Sequence, residues 1–345
     1  MQTEITAALE LLDSKGCLRT EGWARRPYWR YERGAIRASA LRIKEWDYYS
    51  ILSHEGRYGI TLTASDLGYA GLYALCFLDF DRGYSHQADT LRVLPLGRAG
   101  FGPDSDQGRL RYADKALSLD FEYKPGLRIL SFSAPDMRAA NGKLGLEGRI
   151  ALEQPPALES MNIATSWAEN RRAFYYNRKI NCMPASGSFS IGGDIYTFSP
   201  AKDFGALDWG RGRWTYENRW YWASASGYLG GKAFGFNLGY GFSDRSPASE
   251  NALVYEGRIH KLEDIAFHID TADYMKPWRF SSSDGRLEMD FKPLVDRQSS
   301  TTLGPIRSQQ HQVFGEFSGS ARLDDGQELK LERFLGFAED VYNRW

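Results

Sequence analysis

The sequence predicts an all-β protein: two tandem antiparallel β-barrels, or sandwiches, behind a short N-terminal helix. Three observations carry this. Apolar and polar residues alternate with a period of two over much of the chain, the pattern of half-buried strands. Gly and Asp-Gly breakers stand where hairpin turns are needed. An aromatic-rich strand followed by [Asp/Asn]-Leu-Gly-Tyr occurs twice. Composition agrees, since 35 of 345 residues are glycine, about 10% against a usual value of roughly 7%. With 10 Trp, 20 Tyr and 19 Phe, this fits short strands and tight turns around bulky side chains.

Along the chain, Ile5, Leu9 and Leu12 share a helical face, Thr3 is placed to cap it and Gly16 to end it. From Trp46 onward the period changes to that of strands. Trp46–Leu52, Tyr58–Ala64, Lys115–Tyr123 and Leu127–Ser133 alternate, as does Arg286–Lys292 with Leu287, Met289 and Phe291 on one face. Hairpin turns are expected at Ser283-Asp284-Gly285, Asp325-Gly326 and Glu256-Gly257. The repeat pairs Trp46 and Asp66-Leu-Gly-Tyr69 with Trp220, Trp222 and Asn237-Leu-Gly-Tyr240. Two units of about 150 residues are of ordinary domain size. The turn-rich stretch Asn181–Ser188 then divides the chain into 1–182 and 183–345, with Pro155-Pro156 a competing break that falls inside the first unit.

The charge balance, 43 Lys+Arg against 44 Asp+Glu, gives a net charge of −1 and argues against nucleic acid as a partner. No apolar run is long enough for a transmembrane helix, and the first residues show no secretory pattern. Cys17, Cys76 and Cys182 are odd in number and widely spaced, which reads as packed free thiols in a cytoplasmic protein. The five histidines show neither HxH nor HExxH spacing, so no metal site is expected. No GxSxG elbow or Walker lysine is present, and no cofactor is indicated.

The segment Phe204–Trp222 is the densest in chemistry. As a strand it puts Trp220 and Trp222 on one face and Arg219 and Tyr221 on the other. Asp208 either pairs with Arg211 or Arg213, or serves as a desolvated acid beside an aromatic ligand wall. Glu250 and His260 would form an acid/base pair if adjacent strands join them. In the first unit Asp47, Asp66 and Tyr69 are the parallel candidates, Asp66 standing where Asn237 stands in the second. Candidate acids are therefore Asp208, Glu250 and Asp66. Candidate ligand contacts are Trp46, Tyr69, Trp220, Tyr221, Trp222, Asn237, Tyr240 and His260. Gly239 and Gly241 read as close-approach glycines. Gln309, Gln310 and His311 read as partners for strand-end backbone, and Glu339 as a carboxylate that closes the barrel on an arginine.

Several longer stretches carry a family resemblance. Leu207-Asp-Trp-Gly-Arg-Gly-Arg-Trp, Phe234–Phe242, Glu250-Asn with His260-Lys-Leu, Gln309–Gly315 and Gly336-Phe-Ala-Glu resemble the bacterial family named domain of unknown function 2804. Gly22–Pro27 and Lys44–Tyr49 belong to the same pattern, so it spans nearly the whole chain. More remotely the layout is similar to the tandem lipocalin-like group of carotenoid hydratases (hydroxyneurosporene synthases), tocopherol cyclases and Diels–Alderases. That resemblance implies a hydrophobic, isoprenoid- or lipid-like small molecule held in a barrel cavity and hydrated, isomerised or cyclised by a buried acid. A non-catalytic carrier of a lipophilic molecule is the alternative expectation, and carbohydrate recognition the third.

Overall fold

The structure, a computed structural model, describes residues 2–304 and 306–344. Three short strands come first: β1 (Leu9–Glu10), β2 (Gly22–Ala24) and β3 (Trp29–Arg30). Next are β4 (Ile43–Ser53), β5 (Tyr58–Asp66), β6 (Ala70–Asp79), β7 (Tyr84–Val93), β8 (Gly108–Ala113) and β9 (Ser118–Lys124). The first unit continues with β10 (Leu127–Arg138), β11 (Leu144–Glu153), β12 (Met161–Trp167), β13 (Asn170–Ile191), β14 (Asp194–Phe198) and β15 (Phe204–Arg213). The remainder supplies β16 (Glu217–Leu229), β17 (Lys232–Tyr240), β18 (Ala252–Tyr255), β19 (Arg258–Lys261) and β20 (Ile265–His268). It closes with β21 (Trp278–Ser282), β22 (Leu287–Leu303), β23 (Ile306–Arg322) and β24 (Glu328–Arg344).

Two curled antiparallel sheets of lipocalin-like form result. The main path of the first is β7-β6-β5-β4-β15-β13-β11-β10-β9-β8, and the second is β19-β18-β17-β16-β24-β23-β22-β21-β20. With β8 set aside, the two orders match strand for strand, β4 with β16, β15 with β24 and β13 with β23. The topology thus repeats as a whole, but the four-residue match does not mark equivalent positions: Thr63 lies across from Tyr48 and Gly239 across from Trp222, so Asn237 corresponds to Thr61 and not to Asp66. Three of the expected turns hold their hairpins: Glu256-Gly257, Gly285 and Gly326 all have positive φ between paired strands.

Apolar side chains fill the interior of each sheet. Tyr49, Leu62, Leu75, Phe121, Leu130 and Ile150 fill the first, and Phe236, Phe280, Phe291 and Phe317 fill the second. A third apolar cluster joins the sheets: Tyr48, Leu52, Leu78 and Phe80 of the first pack against Trp222, Val295, Phe314 and Phe337 of the second. β4 is thus covered on both faces, which explains why it is buried almost throughout instead of alternating.

Two expectations need correction. The first residues form no helix: Ile5 donates its N–H to Trp23, Trp23 donates to Thr3, and β1 pairs with β3. A helix this short has a costly nucleus and one apolar stripe; extended pairing satisfies the backbone and still seats Ile5, Leu9 and Leu12 against the core. The 182/183 division falls inside β13, a strand continuous from 170 to 191, and β15 still belongs to the first sheet. The chain changes sheet at residues 214–216. Pro184 does not end the strand because its register shifts between Ile180 and Met183. The three cysteines are free, Cys76 and Cys182 being buried. No helix among the described residues is long and apolar enough to cross a membrane.

Candidate functional site

The register of the matching strands brings two equivalent rows of side chains face to face. On the first sheet Tyr48, Asp208 and Lys179 lie side by side across β4, β15 and β13. On the second, Trp222, Glu339, Gln312 and Arg297 lie side by side across β16, β24, β23 and β22. Asp208 and Glu339 each stand three residues after a glycine, in Gly205-Ala-Leu-Asp208 and Gly336-Phe-Ala-Glu339. They are the same position in the two repeats. Contacts cross the seam in both directions: the Lys179 ammonium lies 3.8 Å from the Trp222 ring centroid, and the Tyr48 hydroxyl donates to Gln312 Oε1 at 3.3 Å.

Between the rows lies a cavity of about 200 Å³. Its walls are Trp46, Trp214, Trp220, Trp222, Tyr175 and Phe242, with Asp208, Lys179, Glu250, Glu339, Gln312 and Arg297 presenting polar groups. Trp46, Trp214, Trp220, Tyr175 and Phe242 form a connected set of edge-on and stacked rings, Trp214 meeting Trp46 at 5.6 Å and Trp220 at 5.6 Å. Two glycines make room: a Cβ at Gly210 would collide with the Trp46 indole, and one at Gly239 with the Glu250 carboxyl. The site thus sits between the two sheets and not inside a barrel.

The carboxyl groups have contrasting partners. Lys179 Nζ is 2.7 Å from Asp208 Oδ2, and Asn177 donates to Asp208 Oδ1 at 2.5 Å. Glu250 accepts from the Tyr175 hydroxyl at 2.9 Å, with Lys179 at 4.0 Å. Burial raises the Glu250 pKa; Lys179 lowers it and the Asp208 charge raises it again. Among the described residues Glu339 has no cation in direct contact. Trp220 Nε1 donates to its Oε1 at 2.8 Å, and Gln312 Nε2 to its Oε2 at 3.1 Å. Burial is the main cause that pushes its pKa up to about 7, against the pull of the Trp220 N–H and Lys179.

Of the residues singled out in the sequence, Trp46, Trp220, Trp222, Asp208 and Glu250 line the cavity. Asn237 lies behind it, accepting from Trp222 Nε1 at 2.7 Å and donating to the Glu250 carbonyl at 2.9 Å. Tyr221 and Tyr240 stack on each other at 4.8 Å, Tyr221 on the face of β16 opposite Trp220 and Trp222. Asp66 holds a loop by accepting from the Gly68 and Gly97 amides at 2.9 and 2.8 Å. The Lys44 ammonium lies 4.5 Å from the Tyr69 ring, and neither Asp66 nor Tyr69 lines the cavity.

Side-chain pairings differ from the expectations in four places. Asp208 pairs with Lys179, while Arg211 takes Asp47 at 3.0 Å, because Arg211 and Arg213 stand an odd number of residues from Asp208 on β15 and so face the other side of the sheet. His260 faces Asp324 at 3.3 Å and does not meet Glu250, since its partner across β18 and β19 is Leu253. Glu339 closes on Trp220 and Gln312, not on an arginine. Gln310 lines the cavity, whereas His311 is bound to Asp296. Lys179, Tyr175, Tyr48, Gln312 and Arg297 were not anticipated. The shared Gly-x-x-acid spacing was the signal that could have found Glu339. Among the described residues no three His, Cys, Asp or Glu side chains converge as a metal site would need.

Fold and site together define a tandem lipocalin-like protein with a small-molecule-sized cavity at the seam between its repeats. The chain belongs to the family described as domain of unknown function (DUF2804), whose model matches residues 2–345. Among solved structures, CghA with Sch210972 is similar at a TM-score of 0.51 and 12% identity, over 88% of this chain and 89% of that one. Kievitone hydratase from Nectria haematococca is similar at a TM-score of 0.47 and 12% identity, over 88% of each chain. At such identity the likeness to CghA is one of fold alone. No curated protein matches the chain by sequence.

Proposed function

We propose that the seam cavity is the active centre of an enzyme that transfers a proton to and from a compact, largely apolar molecule with an electron-rich double bond. The carrying observation is the unequal treatment of two equivalent carboxyl groups. Asp208 is ion-paired with Lys179, whereas Glu339 keeps its proton to about pH 7. Pairs of carboxyls with environments this different commonly divide the acid and base roles.

In this reading the Glu339 O–H bond breaks and the double bond's π pair takes the proton, forming a C–H bond and a carbocation. Aromatic faces of Trp222, Trp220 and Trp214 stabilise that charge, each by about 1–2 kcal/mol in a desolvated site. The nearby Asp208 carboxylate adds electrostatic support. Loss of a proton from a neighbouring carbon completes an isomerisation. Attack by water, or by a second double bond, followed by proton loss completes a hydration or a cyclisation. Each route returns one proton, so Glu339 is regenerated.

Cavity size narrows the substrate. An apolar cavity of about 150 Å³ accommodates benzene, so about 200 Å³ suits one substituted ring or a short branched chain. A carotenoid-length polyene would have to leave most of its length outside.

Native mass spectrometry of the purified protein identifies a co-purifying molecule, which is then returned to the wild type and to Glu339→Gln. The expected result is conversion by the wild type and a loss of about 10²–10⁴-fold in the variant, the usual contribution of general acid catalysis. Recovery of the molecule unchanged after incubation with the wild type would favour a carrier instead.

A further inference from the structure

The hydrogen bonds around Glu339 dictate where its proton points. A guanidinium has donors only, and Arg297 Nη1 lies 2.7 Å from the Gln312 side chain. The atom it meets must therefore be the amide oxygen, which also receives the Tyr48 hydroxyl. That leaves the Gln312 amide nitrogen no choice but to face Glu339, where it donates to Oε2. The other carboxyl oxygen is taken by the Trp220 indole N–H. Both oxygens of Glu339 thus accept from the protein. Neither the Trp220 N–H nor the Gln312 amide nitrogen offers an acceptor for its hydroxyl hydrogen. The equivalent row in the first repeat has Lys179 where the second has Gln312, and Lys179 makes an ion pair in place of this arrangement.

We propose that Arg297 is a positioning residue: by locking the Gln312 amide it denies the Glu339 proton a protein acceptor and aims it into the cavity. This rests on the reading of Glu339 as the acid. The charged groups acting most on Glu339 are Lys179 from β13, Asp208 from β15 and Arg297 from β22, with the Tyr48 phenol of β4 also beside it and Glu250 and Lys44 lining the same cavity. Arg297 is itself only half-buried and is held from its other side by Gln87 at 2.7 Å, so its removal spares the core.

In Arg297→Met the Gln312 amide is released and turns its oxygen toward Glu339, capturing the proton. The test is infrared difference spectroscopy of the full-length protein below and above the Glu339 midpoint, with Glu339→Gln assigning the band. Wild type is expected to show the high-frequency carbonyl band of a carboxylic acid whose hydroxyl donates to no protein group. Arg297→Met is expected to lower that frequency and to raise the midpoint by about one pH unit, a tenfold gain in proton affinity. Loss of the Arg297 charge alone also raises the midpoint, so the band position decides. Arg297→Lys, which keeps a donor-only cation, is expected to restore the wild-type band. Arg297→Met combined with Gln312→Leu has no amide to turn and is expected to keep the high frequency. The inference is overturned if Arg297→Met leaves the band in place, or if the double variant lowers it equally. Absence of a Glu339 acid band at neutral pH in the wild type would instead undo the reading beneath it.

Discussion

Replacing Glu339 by glutamine removes one titration from the folded protein, and its size follows from the site. Burial lifts this carboxyl from 4.5 to about 7, which by linkage amounts to on the order of 3 kcal/mol. The sign is that of a raised acid. The folded state binds the proton more tightly than the unfolded chain, so the contribution is complete below about pH 4.5 and is lost as pH rises through about 7. Wild-type stability therefore carries a downward slope of about 1.4 kcal/mol per pH unit in that window, which Glu339→Gln lacks. The variant also places an amide N–H against Gln312 or Trp220, at a cost of about 1–3 kcal/mol. It should accordingly be the less stable protein at the acid end and gain on the wild type as the pH rises. Urea denaturation of both proteins at a series of pH values measures this, and other groups that titrate in the window largely cancel in the difference. A difference that stays flat across the window would refute the buried, proton-holding Glu339.

Three further predictions follow from named contacts. Lys179→Met strands the buried Asp208 carboxylate and should cost on the order of 3–5 kcal/mol in urea denaturation, most of it recovered by adding Asp208→Asn. Gly239→Ala forces the Glu250 carboxyl out of place and should destabilise by about 1–3 kcal/mol while weakening retention of a co-purifying ligand in native mass spectrometry. Asp66→Asn disturbs the acceptor for the Gly68 and Gly97 amides and should cost about 1–3 kcal/mol with ligand retention unchanged, since Asp66 lies outside the cavity.

The fold was largely legible because hairpins announce themselves locally. Glu256-Gly257 and Asp325-Gly326 mark turns by residue type, and alternation such as Leu287, Met289 and Phe291 marks a strand with one face inward. Trp46, Trp220 and Trp222 were found for the same reason, as bulky residues of known parity. What escaped depends on register between distant strands. Lys179 lies in a run buried on both faces, where alternation says nothing about direction, and only the β13–β15 pairing puts it beside Asp208. Glu339 looked like a partner for an arginine because its true neighbours come from β16 and β23. The N-terminal segment misled by spacing alone, for three apolar residues at helical intervals also fit an extended segment packed on one side.

The most direct measurement of the acid–base assignment is isotope exchange. A co-purifying ligand is incubated in deuterated buffer with wild-type protein and with Glu339→Gln, then re-isolated and weighed by mass spectrometry. The account predicts deuterium bound to carbon after exposure to the wild type, and none beyond the protein-free control with the variant. A ligand that emerges from the wild type with no deuterium on carbon would contradict it.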